Sequence, residues 1–389
     1  MDLSQFKEHF FELYDNRTKN PVIFFSPGRV NLIGEHTDYN NGFVLPCALN
    51  YGTYLAIRIR TDDRLMLNTL NFDFADSLTI GNITRNEDDK WINYPLGVIK
   101  EFLDRGIRLK GLEMLYYGDI PNGAGLSSSA SIEMVTAYAL NTILDAGFDN
   151  VELAKLCQHA ENHFVGMNCG IMDQFAVGMG EKDRAIFLNC MTLKYQPVPV
   201  ELKDYQLIIA NTNKRRGLTD SKYNERRSEC EKAVKYLNNK VLIDHLSQLS
   251  IEDLHLLDET IPDEVIRKRA RHVITENNRV LQAVNILELG DILQFGRLMN
   301  ESHDSLMNDY EVTGKELDTM VYEARKIKGT VGSRMTGAGF GGCTVSIVQK
   351  QQVDDFKKML GKAYHSLTGL HADFYMPTIE GGVKQIQTI

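Results

Sequence analysis

Gly28-Arg29-Val30-Asn31-Leu32-Ile33-Gly34-Glu35-His36-Thr37-Asp38-Tyr39-Asn40 is the most informative stretch of this 389-residue chain. It follows Val22–Phe25, a short apolar run that reads as a strand, through the Gly/Pro corner Ser26-Pro27-Gly28. Arg29, Asn31, Glu35, His36 and Asp38 are interleaved with Val30, Leu32 and Ile33. A solvated turn built on Asn and Asp is one reading of that pattern. The apolar residues between them favour another, a partly buried segment whose polar groups converge on a ligand. Carboxylates and imidazole are the hydrogen-bond partners that the hydroxyls of a sugar need.

Two further loops carry glycine. Pro121-Asn122-Gly123-Ala124-Gly125-Leu126-Ser127-Ser128-Ser129-Ala130-Ser131 lies between the strand-like Glu113–Tyr117 and a helical pattern, Ser128–Asp145, that stops near Gly147. Glycine lets a backbone approach an anion closely, and a helix start offers free N–H groups and the positive end of a dipole. Serine hydroxyls there can bind phosphate or magnesium. The segment is thus a candidate phosphate cradle, with a Ser-capped helix entered through a flexible loop as the alternative. It is not a Walker loop, because no Gly-Lys-Ser/Thr follows. Gly337-Ala338-Gly339-Phe340-Gly341-Gly342 formally fits the dinucleotide pattern G-x-G-x-x-G. Strand-like Cys343–Val348 follows it, however, where that pattern needs a helix. A dehydrogenase is therefore not expected, and the loop is expected to support a nucleotide or a neighbouring loop.

The chain is long for one core, so two domains are expected. Its first half mixes the strand-like Val22–Phe25, Thr53–Arg60 and Glu113–Tyr117 with the helical Ser128–Asp145 and Val151–Phe164. Tyr205–Asn211 reads as another strand. Ser221 to Lys328 is mostly helical, including Val265–Leu289 and Asp291–Asn300, before strand-like runs return at Cys343–Val348 and Ala372–Met376. This rhythm predicts two α+β domains, 1–200 and 201–389. Apolar residues make up 43% and charged residues 24%, ordinary for a soluble protein. No run approaches the roughly 20 apolar residues of a membrane span. Met1-Asp2-Leu3-Ser4-Gln5 lacks the basic start of a signal peptide, so a cytoplasmic location is expected and no membrane partner. A net charge of −9 argues against a nucleic-acid partner. Nucleotide phosphate stays compatible, because its positive potential can be local and built of backbone N–H groups. Cys47, Cys157, Cys169, Cys190, Cys230 and Cys343 form no Cys-x-x-Cys pair, so neither a disulfide framework nor a thiolate zinc site is indicated.

Together the three loops resemble the three motifs of the GHMP small-molecule kinases. Within that family, Gly28–Asn40 is similar to the signature of the galactokinase branch. The resemblance continues in Cys169-Gly170-Ile171-Met172-Asp173-Gln174, in Ser221-Lys222-Tyr223-Asn224-Glu225-Arg226-Arg227 and in Ser333-Arg334-Met335-Thr336-Gly337. It implies two α+β domains with the active site in the cleft between them. The activity implied is ATP-dependent phosphorylation of the anomeric C1 hydroxyl of α-D-galactose, giving galactose 1-phosphate and ADP at the entry to the Leloir pathway. The resemblance also implies roles. Glu35, His36, Thr37, Asp38, Gly170 and Tyr223 would hold the sugar, and Asp173 would face the anomeric hydroxyl with Arg29 beside it. Gly123, Ala124, Gly125, Leu126, Ser127, Ser128 and Ser129 would surround the triphosphate of ATP. Ser128 or Ser129 would hold Mg2+ with Glu161, and Thr69 and Trp91 would lie near the nucleotide. Galactose and ATP are the partners implied, for a monomer or weak oligomer.

These roles make chemical sense. Phosphoryl transfer asks for positioning, charge neutralisation and a residue that orients or deprotonates the acceptor. A cation beside a carboxylate favours its charged form and can stabilise charge on the transferring group. Asp173 with Arg29 answers both, with Asp173 either a base or an orienting group; a helix cap after Gly170 is its plain alternative. Glu161 follows Cys157 by four residues and Ala154 by seven, on the apolar stripe of its helix. A carboxylate there is costly unless paired or bound to a cation, which leaves magnesium or an Arg/Lys partner. His159 and His163 lack further ligands on their face, so they are expected to be structural, and Lys214-Arg215-Arg216 is expected to be a solvated loop. A kinase of a related sugar such as N-acetylgalactosamine would share nearly all the motifs. A galactose- and ATP-binding transcriptional sensor can lack the Ser-Ala pair, present here as Ser129-Ala130. A homoserine or mevalonate kinase would not be expected to carry Gly34-Glu35-His36-Thr37-Asp38.

Overall fold

A computed structural model describes the chain apart from residues 1, 15–18, 73, 88–89, 122–124, 215–218 and 387–389. Helix α1 (Leu3–Tyr14) turns Phe6, Phe10, Phe11 and Tyr14 inward at helical spacing. The strand expected at Val22–Phe25 does not end at the Gly/Pro corner: β1 runs Val22–Asn31. Its register against β3 (Pro46–Ile59) shifts between Pro27 and Arg29. Pro27 has no N–H to give the ladder, and a Cβ on Gly28 would lie 2.6 Å from the Leu126 carbonyl oxygen. The corner is therefore a bulge inside a strand, and Arg29 is aimed by the sheet.

Between these strands lies the two-residue β2 (Phe43–Val44), and beyond them β4 (Arg64–Thr69), β5 (Ala75–Thr79), α2 (Asn93–Asp104) and β6 (Leu112–Gly118). Helix α3 (Ser128–Leu144) stops where Asp145 turns left-handed at φ 51° and its N–H closes on the Asn141 carbonyl, two residues before the expected glycine. A capping box of Asp149 and Glu152 starts α4 (Asn150–Ala160). That helix continues as a wider turn, Glu161–Val165, so Glu161 stands where the winding loosens. Then come α5 (Met172–Met179), β7 (Arg184–Asn189), β8 (Tyr195–Pro199) and β9 (Tyr205–Asn211). The second half adds α6 (Thr219–Leu237), α7 (His255–Thr260), α8 (Glu264–Glu288), α9 (Ile292–Ser305), α10 (Lys315–Lys326), β10 (Thr330–Thr336), β11 (Cys343–Gln349), α11 (Val353–Thr368), β12 (Asp373–Tyr375) and β13 (Lys384–Ile386).

The sheets run β13-β1-β3-β6-β4-β5, β10-β11-β9-β12 and β2-β7-β8. Alternation along the first sheet sends Phe24, Leu55, Leu67 and Met114 to the core under α2–α5, and Ile23, Ala56, Met66 and Leu115 to the core under α1. The expected boundary near residue 200 falls between β8 and β9, yet β13 returns to pair with β1, Ile23 opposite Ile386. The halves also share a core: Val30, Leu32, Ile33 and Leu126 pack with Leu207, Val280, Val284, Phe295 and Val345. Gly337–Gly342 joins the antiparallel β10 and β11, with Thr336 opposite Cys343. It is strand–loop–strand, with Gly337, Gly339, Gly341 and Gly342 all at positive φ, which excludes the dinucleotide reading. No described helix is long and apolar enough to cross a membrane.

Candidate active site

The β1 bulge directs Arg29 at the first turn of α5, where Asp173 stands and the helix dipole favours a carboxylate. Arg29 Nε and Nη2 donate to the two Asp173 oxygens at 2.8 and 2.7 Å, and Nη1 donates to the Gly125 carbonyl at 2.7 Å. The Ser127 hydroxyl also donates to Asp173 Oδ2. Ser127 is left-handed at φ 60°, a conformation that turns its side chain to Asp173 and away from capping α3. The Arg29 N–H donates to the Leu126 carbonyl at 3.1 Å. One partly buried ion pair thus ties together the bulge, the serine loop and α5. A guanidinium has five N–H groups, and three are taken here.

The rest of Gly28–Asn40 curls over the shared core. Glu35 Oε1 accepts from the Gly337 N–H at 2.9 Å, Thr336 Oγ1 at 3.1 Å and Arg334 Nη1 at 3.3 Å. Its Oε2 has no such partner among the described residues. His36, left-handed at φ 63°, meets the Tyr39 hydroxyl at 2.8 Å through Nδ1, with the Tyr223 and Tyr310 rings beside it. Burial pushes this imidazole down to about 3, so it is neutral at physiological pH. Burial, with the Asp173 charge nearby, pushes Asp38 up to about 7. Gly170 packs so closely on Asp38 that a Cβ would overlap the carboxylate. Arg29, Glu35, His36, Asp38, Glu161, Gly170, Asp173 and Tyr223 line one pocket of about 370 Å³.

Glu161 is buried, as its place on the apolar stripe predicts. Its Oε2 accepts from Gln174 Nε2 at 2.5 Å and from the Cys169 thiol at 3.3 Å, and the Ser129 hydroxyl lies near enough to favour its charged form. Gln174 Nε2 reaches Glu133 Oε2 at 3.0 Å, while Glu133 Oε1 has no partner among the described residues. Burial raises the pKa of both carboxyls, and each negative neighbour adds to it. No Lys or Arg pairs with Glu161 among the described residues. Two carboxylates and a hydroxyl are hard oxygen donors, and magnesium takes one or two carboxylates and completes its shell with phosphate and water. The residues present fit that ion, although no group of three or more His, Cys, Asp or Glu able to hold a metal by itself is found among the described residues.

The other expected residues fall less neatly. Thr37 Oγ1 lies between the Gly34 and Phe43 carbonyls at 2.8 and 2.6 Å and shapes the loop from behind, outside the pocket lining. Leu126 places its side chain in the shared core and leaves its carbonyl to the site. Ser128 is exposed at the start of α3 and Ser129 half-buried. Gly123 and Ala124 lie outside the described residues. Thr69 and Trp91 sit together beside Tyr116, away from the pocket lining: Thr69 pairs with Tyr116 across β4 and β6, and Trp91 meets Tyr116 and Phe74 edge-on at 5.7 and 5.1 Å. His159 pairs with Glu101 at 2.7 Å and stacks on His163, the structural role expected. Lys214 pairs with Glu316 at 2.6 Å, and Arg215 and Arg216 lie outside the described residues.

Residues that sequence reasoning missed support the loop from behind. Arg334, fully buried, donates from Nη1 to the Asn31 and Leu32 carbonyls as well as to Glu35. Glu276 on α8, also fully buried, accepts from the Gly34 N–H at 2.9 Å. Its signal was available, because Glu276 lies three residues after Val273 and four before Val280 on an apolar stripe, the placement that marked Glu161.

Comparison with known proteins bears on the family and the fold. Residues 8–59 match the galactokinase galactose-binding signature, 93–181 the GHMP kinases N terminal domain and 282–366 the GHMP kinases C terminal domain. The chain is 55% identical over 368 residues to a galactokinase of Fusobacterium nucleatum subsp. nucleatum, covering 94% of this chain and 95% of that one. A galactokinase of Lactiplantibacillus plantarum is 47% identical over 389 residues, with 99% and 100% covered. The crystal structure of Lactococcus lactis galactokinase complexed with galactose shares 44% identity and a TM-score of 0.95, covering 99% of this chain and 100% of that one. Methanococcus jannaschii mevalonate kinase, 20% identical with a TM-score of 0.66 over 94% of this chain and 100% of that one, shares the fold.

Proposed function

The chain belongs to the galactokinases of the GHMP kinase family, and we propose that its pocket presents the anomeric hydroxyl of galactose to the γ-phosphoryl group of ATP, with Asp173 and Arg29 at the reacting centre. What carries the reading is the Arg29–Asp173–Ser127 contact, which joins the sugar-signature loop to the serine loop and lies at the wall of the pocket. In the reaction a bond forms between the sugar O1 and Pγ, the bond from Pγ to its bridging oxygen breaks, and ADP leaves. The C1 hydroxyl proton passes to Asp173 or, where Asp173 only orients the hydroxyl, to an oxygen of the transferred phosphoryl group. Arg29, fixed by three hydrogen bonds, has two N–H groups left for the oxygens of the transferring group.

Glu35 Oε2, neutral His36 and Asp38 receive sugar hydroxyls, while Tyr223 and the bare Gly170 shape the pocket. Gly125 to Ser129 and the free N–H groups of α3 cradle the triphosphate, with Thr69 and Trp91 on the nucleotide side. Glu161 and Ser129 are the residues to hold Mg2+, since Ser129 is the serine of the loop near enough to Glu161 to favour its charged form. That ion, when bound, neutralises phosphate charge.

A coupled ADP-release assay across galactose, N-acetylgalactosamine, glucose, mevalonate and homoserine tests the reading. Galactose is expected to release ADP; folded protein that releases none with galactose overturns it. Asp173→Asn is expected to lower turnover by about 10²-fold or more while ATP binding, measured by calorimetry, is retained.

A further inference from the structure

We propose that Glu276 is a positioning residue for galactose, holding the backbone of the sugar-signature loop in its binding shape from the other half of the molecule. The inference rests on the galactose reading above and extends it to a residue outside the pocket.

Glu35 belongs by sequence to the first half, yet the second half fixes its polar atoms. Its N–H donates to Glu276 Oε1 at 3.4 Å, its carbonyl meets His272 Nε2 at 3.1 Å, and Oε1 is held by Arg334, Thr336 and Gly337. The stronger backbone contact is one residue earlier, where the Gly34 N–H donates to Glu276 Oε1 at 2.9 Å. Gly34 is at φ 98°, and a Cβ there would lie 2.9 Å from Val280 Cγ2, so the loop rests directly on α8. The next residue of α8 takes the other arm: Asn277 Oδ1 accepts from the Phe43 N–H at 2.9 Å. One helix face therefore grips the loop where it enters and where it leaves.

Glu276 suits this task because everything around it donates. Ser302 Oγ reaches Oε1 at 2.6 Å and Arg279 Nε reaches Oε2 at 2.7 Å, beside the two loop N–H groups. Burial works against its charge, but Arg279 and its other neighbours outweigh that and hold the carboxyl at about 2. A glutamine in its place has one acceptor oxygen and must turn an NH2 towards either Arg279 or Gly34, leaving a buried donor facing a donor. The loop then shifts at Gly34–Glu35, upstream of His36 and Asp38. Arg29 and Asp173 are held by β1, α5 and the serine loop and make no contact with Glu276.

The test is Glu276→Gln, read by calorimetric galactose binding without ATP and by KM for each substrate. Galactose Kd and KM are expected to rise about tenfold or more, with KM for ATP within about twofold and kcat at saturating galactose little changed. The loss should be the same at pH 6 and pH 8, since Glu276 is ionised at both. Wild-type protein that binds no galactose would bring down the functional reading itself. Wild type that binds galactose beside a variant that binds it equally well would overturn the role of Glu276 alone. So would a parallel rise in both KM values. If Glu276→Gln does not fold, Glu276→Asp keeps the charge and withdraws it from Gly34; it is expected to show the same split, and an unchanged galactose KM there overturns the proposal.

Discussion

Asp38 keeps, near neutral pH, a proton that most aspartates have lost by pH 5. Burial and the neighbouring Asp173 lift it from its ordinary 3.8 to about 7. Sugar hydroxyls donate best to an ionised carboxylate. Galactose affinity is therefore expected to rise between about pH 6 and pH 8, and calorimetry across that range should show it flatten once Asp38 is ionised. Stability runs the other way. A folded-state pKa above the unfolded value means the native state binds more protons, so Asp38 favours folding least above pH 7 and its cost fades towards pH 4. Asp38→Asn should accordingly melt higher than wild type at pH 8, lose that advantage as the pH falls, and bind galactose poorly throughout. Gly170→Ala acts on the same carboxylate by volume, since its Cβ overlaps Asp38. Binding calorimetry should find galactose affinity reduced and ATP affinity kept.

At the level of elements, the loosened turn after α4 brings Glu161 beside Ser129 and Gln174 without a basic neighbour among the described residues. Glu161→Gln is expected to raise the magnesium concentration needed for half-maximal rate by roughly tenfold, in line with loss of one charged oxygen ligand. A magnesium titration that superimposes on wild type removes Glu161 from the metal. The helices and strands were largely legible in the sequence, because apolar periodicity marks a buried face directly: α8, β9 and β11 lie within a residue of their expected bounds. The β1 bulge was not legible. Ser-Pro-Gly reads as a corner unless one knows that the Leu126 carbonyl comes within van der Waals reach of Gly28. Asp173, Arg29 and Glu161 were found because local chemistry or motif singled them out. Glu276 shares Glu161's place on a buried stripe but stands in no motif, and periodicity alone says nothing of what lies across from it, here the backbone of Gly34 some 240 residues away.

Across the whole molecule, the apolar cluster joining Val30, Leu32 and Ile33 to Val280, Phe295 and Val345 makes the two halves one cooperative unit. Scanning calorimetry is expected to give a single transition, moved upward by galactose in proportion to the logarithm of its concentration. Two transitions, one unmoved by galactose, would contradict a common core. The pairing of β13 with β1 has a bearing on how such a molecule is made. The strand that carries Arg29 leaves the ribosome early, while its neighbour at 384–386 is translated some 360 residues later. Until then β1 is an open edge with unpaired N–H and C=O groups, the kind of surface that recruits other strands. Nascent chains arrested before residue 384 should therefore be the species that chaperones retain, and release from them should coincide with closure of the first sheet.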